Sequence, residues 1–193
     1  MLLKTARNLY SRLMEIPPRG MSCGRDVSIQ RPRRILNPAC IRIGERTQIR
    51  RGALIEPILA YAGVHYAPAI EIGSDVYIGP DLYLACIGRV VIGEGSVLSE
   101  HVFLNDSSHG FDPTAGLIME QKLSSAGGIS IGKHCFLGLR VAVLPGVILG
   151  DHCIVGVNSV VTHSFPAYSM IAGSPARLVK RYLPEEKRWV KVN

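Results

Sequence analysis

Branched aliphatic residues return at every sixth position along most of this 193-residue chain. A period of six fits neither the α-helical repeat of about 3.6 residues nor continuous strand alternation. It predicts instead one short strand and one turn in every six residues. The runs with this step are Ile43, Ile49, Ile55; Ile72, Ile78, Leu84; Ile92, Leu98, Leu104; and Ile131, Leu137, Val143, Leu149, Val155, Val161.

Glycine is the commonest residue directly after these aliphatic positions, and a small side chain usually follows four residues after them. Glycine at that point fits a corner that needs a positive φ or a close approach of two backbones. Three hexads make a three-sided coil, and stacked coils bury one aliphatic side chain on each side. We therefore predict an all-β fold, a parallel β-helix with coils starting at residues 43, 72, 92, 131 and 149 and an irregular coil before 43.

The gaps between these coils predict three departures from the repeat. About 11 residues are inserted near 61–71, two extra residues lie near 89–91, and a loop of about 21 residues spans roughly 109–128. A loop of that length in a compact domain is usually functional. It carries four large apolar residues, so we expect it to pack on another surface, a second subunit being one option: Phe111, Leu117, Ile118 and Met119.

The two ends of the chain do not follow the repeat. Residues 1–20 have apolar residues at helical spacing, with Lys4, Arg7 and Arg12 on the other face, and Pro17-Pro18 would end the helix. This predicted amphipathic helix is either a cap on the open end of the solenoid or an interfacial membrane anchor. We expect the β-helix domain to span 21–172 and a basic C-terminal tail to span 173–193.

The net charge of +7 is concentrated in the first part of the chain. Residues 1–51 hold twelve Lys and Arg residues against Glu15, Asp26 and Glu45, while the remainder is slightly acidic. A basic surface of this kind suits anionic lipid or an acidic acceptor, and it is equally compatible with a solubilising role. No nucleic-acid partner is expected, because no recognised binding motif accompanies the charge.

The cysteine pattern and the hydropathy predict a cytoplasmic protein. Five cysteines without a CxxC pair argue against a disulfide framework. The apolar runs are too short for a transmembrane helix. His134-Cys135 and His152-Cys153 recur eighteen residues apart, which stacks them on adjacent coils. Neighbouring residues of a strand point to opposite faces, so the histidine and cysteine of one pair do not share an ion and no metal is expected.

The C-terminal half of the repeat resembles the hexapeptide-repeat acyltransferases. The motifs that carry the resemblance are the repeat register over residues 70–182, the PGV step, SVVT and the GSPAR tail. The likeness is to the maltose and galactoside O-acetyltransferases and to surface-polysaccharide O-acetyltransferases. It implies a left-handed β-helix and a homotrimer that binds the co-substrate acetyl-CoA between neighbouring subunits. It also implies acetyl transfer to a sugar hydroxyl in exopolysaccharide, capsule or O-antigen biosynthesis.

The resemblance also implies a catalytic base. A sugar hydroxyl is a weak nucleophile at neutral pH, so a base must take its proton, and histidine titrates near that pH. The segment NDSSHGF is similar to the family's base-carrying segment, which assigns the base to His109. Asp106 and Asn105 lie just upstream and are candidates for orienting the imidazole or the acceptor. Glu100 is the alternative orienting acid, if a neighbouring coil brings it close.

The residues that the resemblance assigns to acetyl-CoA fall into three groups. An aromatic residue lies beside the thioester, backbone groups contact the pantetheine arm, and polar or basic residues lie near the phosphates and the adenine. In the same order they are Phe136; Gly138, Leu139 and Val157; and Thr162, His163, Arg177, Lys180 and Arg181. Phe136 stands where the compared relatives carry tryptophan, and His163 stands where they carry lysine.

Three other functions remain open. An N-acyltransferase acting on an amino sugar would differ only in its acceptor. A zinc hydratase resembling the γ-type carbonic anhydrases needs three converging histidines, two of them with four residues between, and the six histidines of this chain include no such pair. A non-catalytic trimeric scaffold would have the same fold. The acceptor itself is expected to be a saccharide, with lipid-linked and anionic forms both open.

Overall fold

A computed structural model describes residues 17–192. These residues form short β-strands and three single-turn 3-10 helices, at Pro38–Cys40, Ile118–Glu120 and Pro184–Glu186. In chain order the strands are β1 Ser22–Cys23, β2 Ser28–Ile29, β3 Arg34–Ile35, β4 Ile41–Ile43, β5 Gln48–Ile49, β6 Leu54–Pro57, β7 Ala60–Tyr61, β8 Val64–His65, β9 Ala69–Ile72, β10 Tyr77–Ile78, β11 Tyr83–Cys86, β12 Arg89–Ile92, β13 Val97–Leu98, β14 Phe103–Asn105, β15 Ser108–His109, β16 Leu123–Ser124, β17 Ile129–Ile131, β18 Phe136–Leu137, β19 Ala142–Val143, β20 Ile148–Leu149, β21 Ile154–Val155, β22 Val160–Val161, β23 Ser169–Gly173, β24 Ala176–Leu183 and β25 Arg188–Lys191.

Three parallel sheets form the sides of a prism, and every coil contributes one strand to each sheet. The first sheet has the order β1-β4-β9-β12-β17-β20, and the third has the order β3-β6-β11-β14-β19-β22. The second has the order β2-β5-β10-β13-β18-β21-β23 and continues into β24 and β25. This arrangement confirms the predicted all-β fold, the left-handed parallel β-helix of hexapeptide repeats.

The aliphatic positions of the hexads form continuous ladders inside the prism. On the second sheet Ile49 pairs with Ile78, Ile78 with Leu98, and Leu98 with Leu137. All four side chains are fully buried. Each such side chain contributes roughly 1.5–3 kcal/mol through its burial, but only when a neighbouring coil covers it. The five predicted coil starts are confirmed, and the irregular coil before residue 43 is a regular set of strands, β1 to β3.

Of the two reasons expected for glycine at the corners, the structure shows the close approach of two backbones. A Cβ atom on Gly73 would lie 2.6 Å from the backbone nitrogen of Glu94 on the next coil, so close packing of backbones requires glycine there. Positive φ values occur two residues further on, at Asp75 (57°), His134 (54°) and His152 (59°). Asp and His tolerate this left-handed conformation better than most side chains.

The three sheets meet at three edges, and the edges differ. The first edge joins the first sheet to the second, the second edge joins the second to the third, and the third edge returns to the first sheet. All connections across the first and second edges keep the six-residue step. The longer connections all cross the third edge, and their bounds differ by a few residues from the insertions predicted from the sequence. They are residues 36–40, 58–68, 87–88 and 106–128.

The predicted N-terminal helix falls mainly on residues 1–16, which lie outside the described residues, and residues 17–20 form a turn with no helix. At the other end, β24 pairs antiparallel with β23, and β25 pairs antiparallel with β24. Tyr182 of β24 packs against Trp189 of β25, with ring centroids 5.4 Å apart. Within residues 17–192 there is no helix with the length and apolar character to cross a membrane.

Candidate active site

His109 lies where the longest connection leaves the third edge. The chain departs from the coil after β14 and forms β15, which pairs antiparallel with β16 on the returning side of the loop. In this pairing His109 is opposite Leu123. The loop that the sequence predicted over 109–128 is therefore anchored at its base by a two-stranded ribbon, and this ribbon holds the histidine against the prism.

A cleft of about 120 Å³ opens beside His109. Asn105 lines it, and the Oδ1 atom of Asn105 accepts hydrogen bonds from the backbone nitrogen and the hydroxyl of Ser107, both at 3.0 Å. The amide oxygen is thus engaged, while the amide nitrogen remains a donor for another group. The full lining consists of Ile58, Tyr61, Tyr83, Ala85, Asn105, Ser107, Ser108, His109 and Leu123.

The imidazole of His109 has one aromatic neighbour and one unpaired nitrogen. The ring of Tyr61 meets it edge-on, with centroids 5.2 Å apart. The Nδ1 atom is buried and has no hydrogen-bond partner among the described residues. Buried polar atoms are nearly always paired in proteins, so residues 17–192 of a single chain leave this imidazole one hydrogen-bond partner short.

The insertions at 58–68 and 106–128 are separate in the sequence, but they meet beside His109. The hydroxyl of Tyr61, on the β7–β8 hairpin, donates to the backbone oxygen of Met119 at 2.7 Å. The hydroxyl of Tyr66 donates to the backbone oxygen of Leu123 at 3.1 Å. Sequence reasoning missed both tyrosines. The available signal was that both insertions follow the third strand of a coil, which puts them on the same edge.

Asp106 is fully buried and binds a backbone turn of the preceding coil. Its Oδ1 atom accepts from the backbone nitrogen of Ile87 at 2.8 Å, and its Oδ2 atom accepts from that of Gly88 at 2.9 Å. The Cys86 thiol also donates to Oδ2, at 3.4 Å. Burial, and then the carboxylate of Asp106, raise the pKa of Cys86 to about 12, so the thiol keeps its proton. The direct role predicted for Asp106 beside His109 stays a prediction.

Glu100 lies at the second edge, at the opposite end of β14 from His109. Its backbone oxygen accepts from the nitrogen of Arg140 on the next coil, at 3.0 Å. Within one chain the structure therefore does not bring Glu100 to the cleft. The role predicted for it stays a prediction that needs a second chain.

The residues assigned to the pantetheine arm come together at the second edge. The nitrogen of Gly138 donates to the oxygen of Val155, and that of Asn158 donates to the oxygen of Leu139. A Cβ atom on Gly138 would lie 2.9 Å from the nitrogen of Val157, so only glycine fits this contact. The side chain of Val157 is 62% exposed.

The other residues assigned to acetyl-CoA are spread over the same end of the prism. Phe136 is 43% exposed on the second sheet and lies beside Ile154. Arg177, Lys180 and Arg181 belong to β24, which extends the second sheet beyond β23. Arg177 pairs with Ala172 toward the second edge, whereas Lys180 and Arg181 pair with Met170 and Ser169 at the opposite end of β23. Thr162 and His163 lie at the third edge, two coils beyond His109, where Thr162 Oγ1 is 3.2 Å from His163 Nδ1. The set therefore extends over the second sheet and its edge to the third edge of one prism.

The two His-Cys pairs stack as predicted. The rings of His134 and His152 lie 5.1 Å apart at the first edge, whereas Cys135 and Cys153 are buried inside. In the part of the chain that the structure describes, no three His, Cys, Asp or Glu side chains lie close enough to hold a metal ion.

Comparison with known proteins agrees with this architecture. A family profile described as "Hexapeptide repeat of succinyl-transferase" matches residues 128–163. The chain is 30% identical over 139 residues to a putative colanic acid biosynthesis acetyltransferase of Escherichia coli, covering 72% of this chain and 71% of that protein. This protein belongs to the hexapeptide-repeat acyltransferase family.

Two further members extend the comparison. A putative lipopolysaccharide biosynthesis O-acetyl transferase of Escherichia coli is 34% identical over 128 residues, covering 63% of this chain. The match spans 65% of that relative, slightly less than two thirds of its length. Among solved structures, the N-acyltransferase AntD from Bacillus cereus, crystallised with dTDP and coenzyme A, has a TM-score of 0.71 at 21% identity and 86% coverage of both chains. At that identity the likeness concerns the fold.

Proposed function

We propose that this protein transfers the acetyl group of acetyl-CoA to a sugar hydroxyl during surface-polysaccharide biosynthesis. The relatives named for lipopolysaccharide and colanic acid biosynthesis support the acceptor class. The observation that carries the proposal is the position of His109 in the cleft, with a buried Nδ1 atom that has no partner among the described residues. The missing hydrogen-bond partner of this imidazole would be supplied by the substrate or by a neighbouring subunit.

In this proposal His109 is the general base. It accepts the proton of the sugar hydroxyl as the oxygen attacks the thioester carbonyl, and the carbon–sulfur bond then breaks to release the thiolate of CoA. The proton held by His109 is returned to that thiolate. Asn105 lies in the same cleft and donates through its free amide nitrogen to the acceptor. Backbone N–H groups at the coil corner stabilise the tetrahedral oxyanion.

In our proposal Asp106 supports this site by holding in place the backbone turn next to the end of β14, where the chain leaves the coil toward His109. Its two hydrogen bonds hold the Ile87–Gly88 step against the end of β14. Glu100 contributes to acceptor binding only from a neighbouring subunit, because it lies at a different edge from His109.

The division of the acetyl-CoA residues between two edges supports a homotrimer. In a closed ring of three prisms, the second edge of one subunit, from its fourth coil onward, can face the third edge of the next, so that both groups border one crevice while the first two coils lie outside it. The exposed side chains of Phe136 and Val157 then pack against the methyl and methylene groups of the pantetheine arm. Arg177, Lys180 and Arg181 bind the phosphates and flank the adenine, with Thr162 and His163 nearby.

We further propose that the enzyme acts in the cytoplasm, where its acyl donor is available. Contact with the inner face of the membrane through residues 1–20 would place it near lipid-linked acceptors. No metal takes part in this proposal, because proton transfer by His109 and the good leaving group account for the chemistry.

The test is acetyl-CoA consumption with the purified full chain against a panel of sugars and oligosaccharides. We expect turnover with a neutral or anionic saccharide, loss of turnover in His109→Ala, and an acetyl group that mild alkali removes as acetate. An alkali-stable product would assign N-acylation instead. If no saccharide is acetylated and added acetyl-CoA leaves the thermal stability unchanged, the scaffold function replaces this proposal.

A further inference from the structure

On the first two coils, the arginines at the first edge form ion pairs, and those at the second edge do not. At the first edge, Arg25 Nε lies 3.1 Å from Glu45 Oε1, and Arg46 Nη2 lies 2.6 Å from Asp75 Oδ2. Arg46 also contacts Glu45, at 3.0 Å. The pairing with Arg46 lowers the pKa of Asp75. At this edge each cationic side chain therefore has a carboxylate partner within the fold.

The second edge of the same two coils carries four arginines, which we call the arginine corner: Arg31, Arg33, Arg50 and Arg51. The backbone brings them into register, because the nitrogen of Gly52 donates to the oxygen of Arg31 at 3.0 Å and the nitrogen of Arg33 donates to the oxygen of Ala53 at 2.9 Å. Three of the four are exposed, and Arg50 is partly exposed. None of the four side chains forms a hydrogen bond or ion pair with another residue between 17 and 192.

The acid closest along this edge is Asp81, on the third coil. Its nitrogen donates to the oxygen of Arg51 at 2.9 Å, and its carboxylate lies against Gly52 and 4.0 Å from His101 Nε2. The corner therefore has four cations against one carboxylate. Like charges gathered on two adjacent coils repel one another, and an external anionic surface would relieve that repulsion.

We propose that the arginine corner docks this protein on a membrane surface that contains anionic phospholipid. A membrane fits better than a soluble polyanion because of what precedes the corner in the sequence. Residues 1–16 combine a largely apolar sequence with Lys4, Arg7 and Arg12. The first described residue, Pro17, precedes β1 of the first coil, at the same end of the prism as the corner. A basic patch alone binds a membrane weakly, and an adjacent amphipathic segment supplies the second contribution that stable attachment requires.

With the prism axis upright on the membrane, docking by this end would also set the height of the cleft. His109 follows the fourth coil, and successive coils are about 4.8 Å apart, so the cleft stands roughly 15 Å above the first coil. That distance suits a saccharide whose lipid carrier is held in the same membrane. This consequence rests on the proposed function, whereas the docking itself does not.

The experiment measures binding of the full chain to vesicles by flotation at low ionic strength. One set of vesicles is phosphatidylcholine alone, and the other contains added phosphatidylglycerol. The test variant is Arg31→Gln with Arg51→Gln, and the matched control is Arg25→Gln with Arg46→Gln, which removes the same net charge from the same two coils. We expect the phosphatidylglycerol affinity to fall about thirtyfold in the test variant and less than about threefold in the control.

Four results would overturn the proposal: no binding of the unchanged protein to phosphatidylglycerol vesicles, equal binding to both vesicle types, equal losses in the two variants, or binding that added salt leaves unchanged. Heparin serves as a soluble polyanion in a parallel arm. Corner-dependent binding to heparin without vesicle binding would assign the corner to an anionic polymer instead. Thermal melting of both variants tests their folding. Acetyl transfer to a soluble acceptor should be unchanged in the test variant, so its outcome is separate from that of the proposed function.

Discussion

The second and third edges of the prism are built from the same repeat but differ in regularity. Every coil turns the second edge with the six-residue step, whereas the first four coils all cross the third edge with a longer connection. His109, Tyr61 and the buried carboxylate of Asp106 all belong to those longer connections. The comparison indicates that the repeat supplies a regular frame and that its interruptions carry the candidate catalytic residues.

The physical basis of this division is the way a solenoid is stabilised. Each coil is sealed by its neighbours through the inner ladders, so residues added at an edge leave those ladders intact. Extra residues at one edge of consecutive coils are stacked above one another. Residues 58 positions apart in sequence therefore meet, as Tyr61 and Met119 do.

The largest expected effect separates His109 from a histidine at the first edge. His109→Ala should lower turnover about 10²- to 10⁴-fold, because the proposed general base is lost. His134→Asn, at the first edge and with a side chain that tolerates the local positive φ of 54°, should keep turnover within about twofold. Steady-state kinetics with acetyl-CoA and the best saccharide measures both. Similar losses in the two variants would remove the distinction between the edges.

The second prediction compares two aspartates. Asp106→Asn places an amide N–H₂ where an oxygen now accepts a backbone N–H, so it should destabilise the fold by about 2–3 kcal/mol. Asp81→Asn keeps a side chain that tolerates its positive φ of 60° and should change stability by less than about 0.5 kcal/mol. Urea unfolding measures both. A stable Asp106→Asn protein would contradict the structural role of that carboxylate.

The third prediction concerns the two tyrosine hydroxyls that join the insertions. Tyr61→Phe and Tyr66→Phe each remove one hydrogen bond worth about 1 kcal/mol, so the loop at 109–128 should open roughly fivefold more often. Limited proteolysis within the loop reports the change. Tyr77→Phe, on the outer face of the second sheet, is the control. Equal cleavage of all three variants would show that the hydroxyls do not fasten the loop.

The last prediction is a pH dependence at the third edge. The folded-state pKa of Cys86, about 12, lies above the unfolded value of 9.0, so unfolding releases a proton as the pH rises between them. The stabilisation from the thiol is complete below pH 9 and declines toward pH 12. The difference in unfolding free energy between the natural protein and Cys86→Ala should therefore shrink over that interval. A constant difference would mean that the thiol does not titrate as described.

The coils were predictable from sequence because each inner position obeys a strict periodic rule. The Ile49–Ile78–Leu98 ladder follows from spacing alone. The insertion boundaries were misplaced by a few residues, because β9 begins at Ala69, three positions before the aliphatic residue that marked the coil.

The surroundings of the candidate site were less predictable. The Tyr61–His109 contact joins two loops, and its distance depends on how both fold over the edge. The partners of Asp106 are backbone N–H groups, which carry no signature in the sequence. Residue type and resemblance were enough to single out His109, but not its unpaired nitrogen.

The C-terminal hairpin gives the molecule a built-in optical probe. Trp189 is the only tryptophan of the chain, and it is in contact with Tyr182 across the β24–β25 pair. Its fluorescence emission therefore arises from one place, on the strand pair that also carries Arg177, Lys180 and Arg181. Detachment of that hairpin from the rest of the prism would be visible in emission wavelength and anisotropy, without any attached dye.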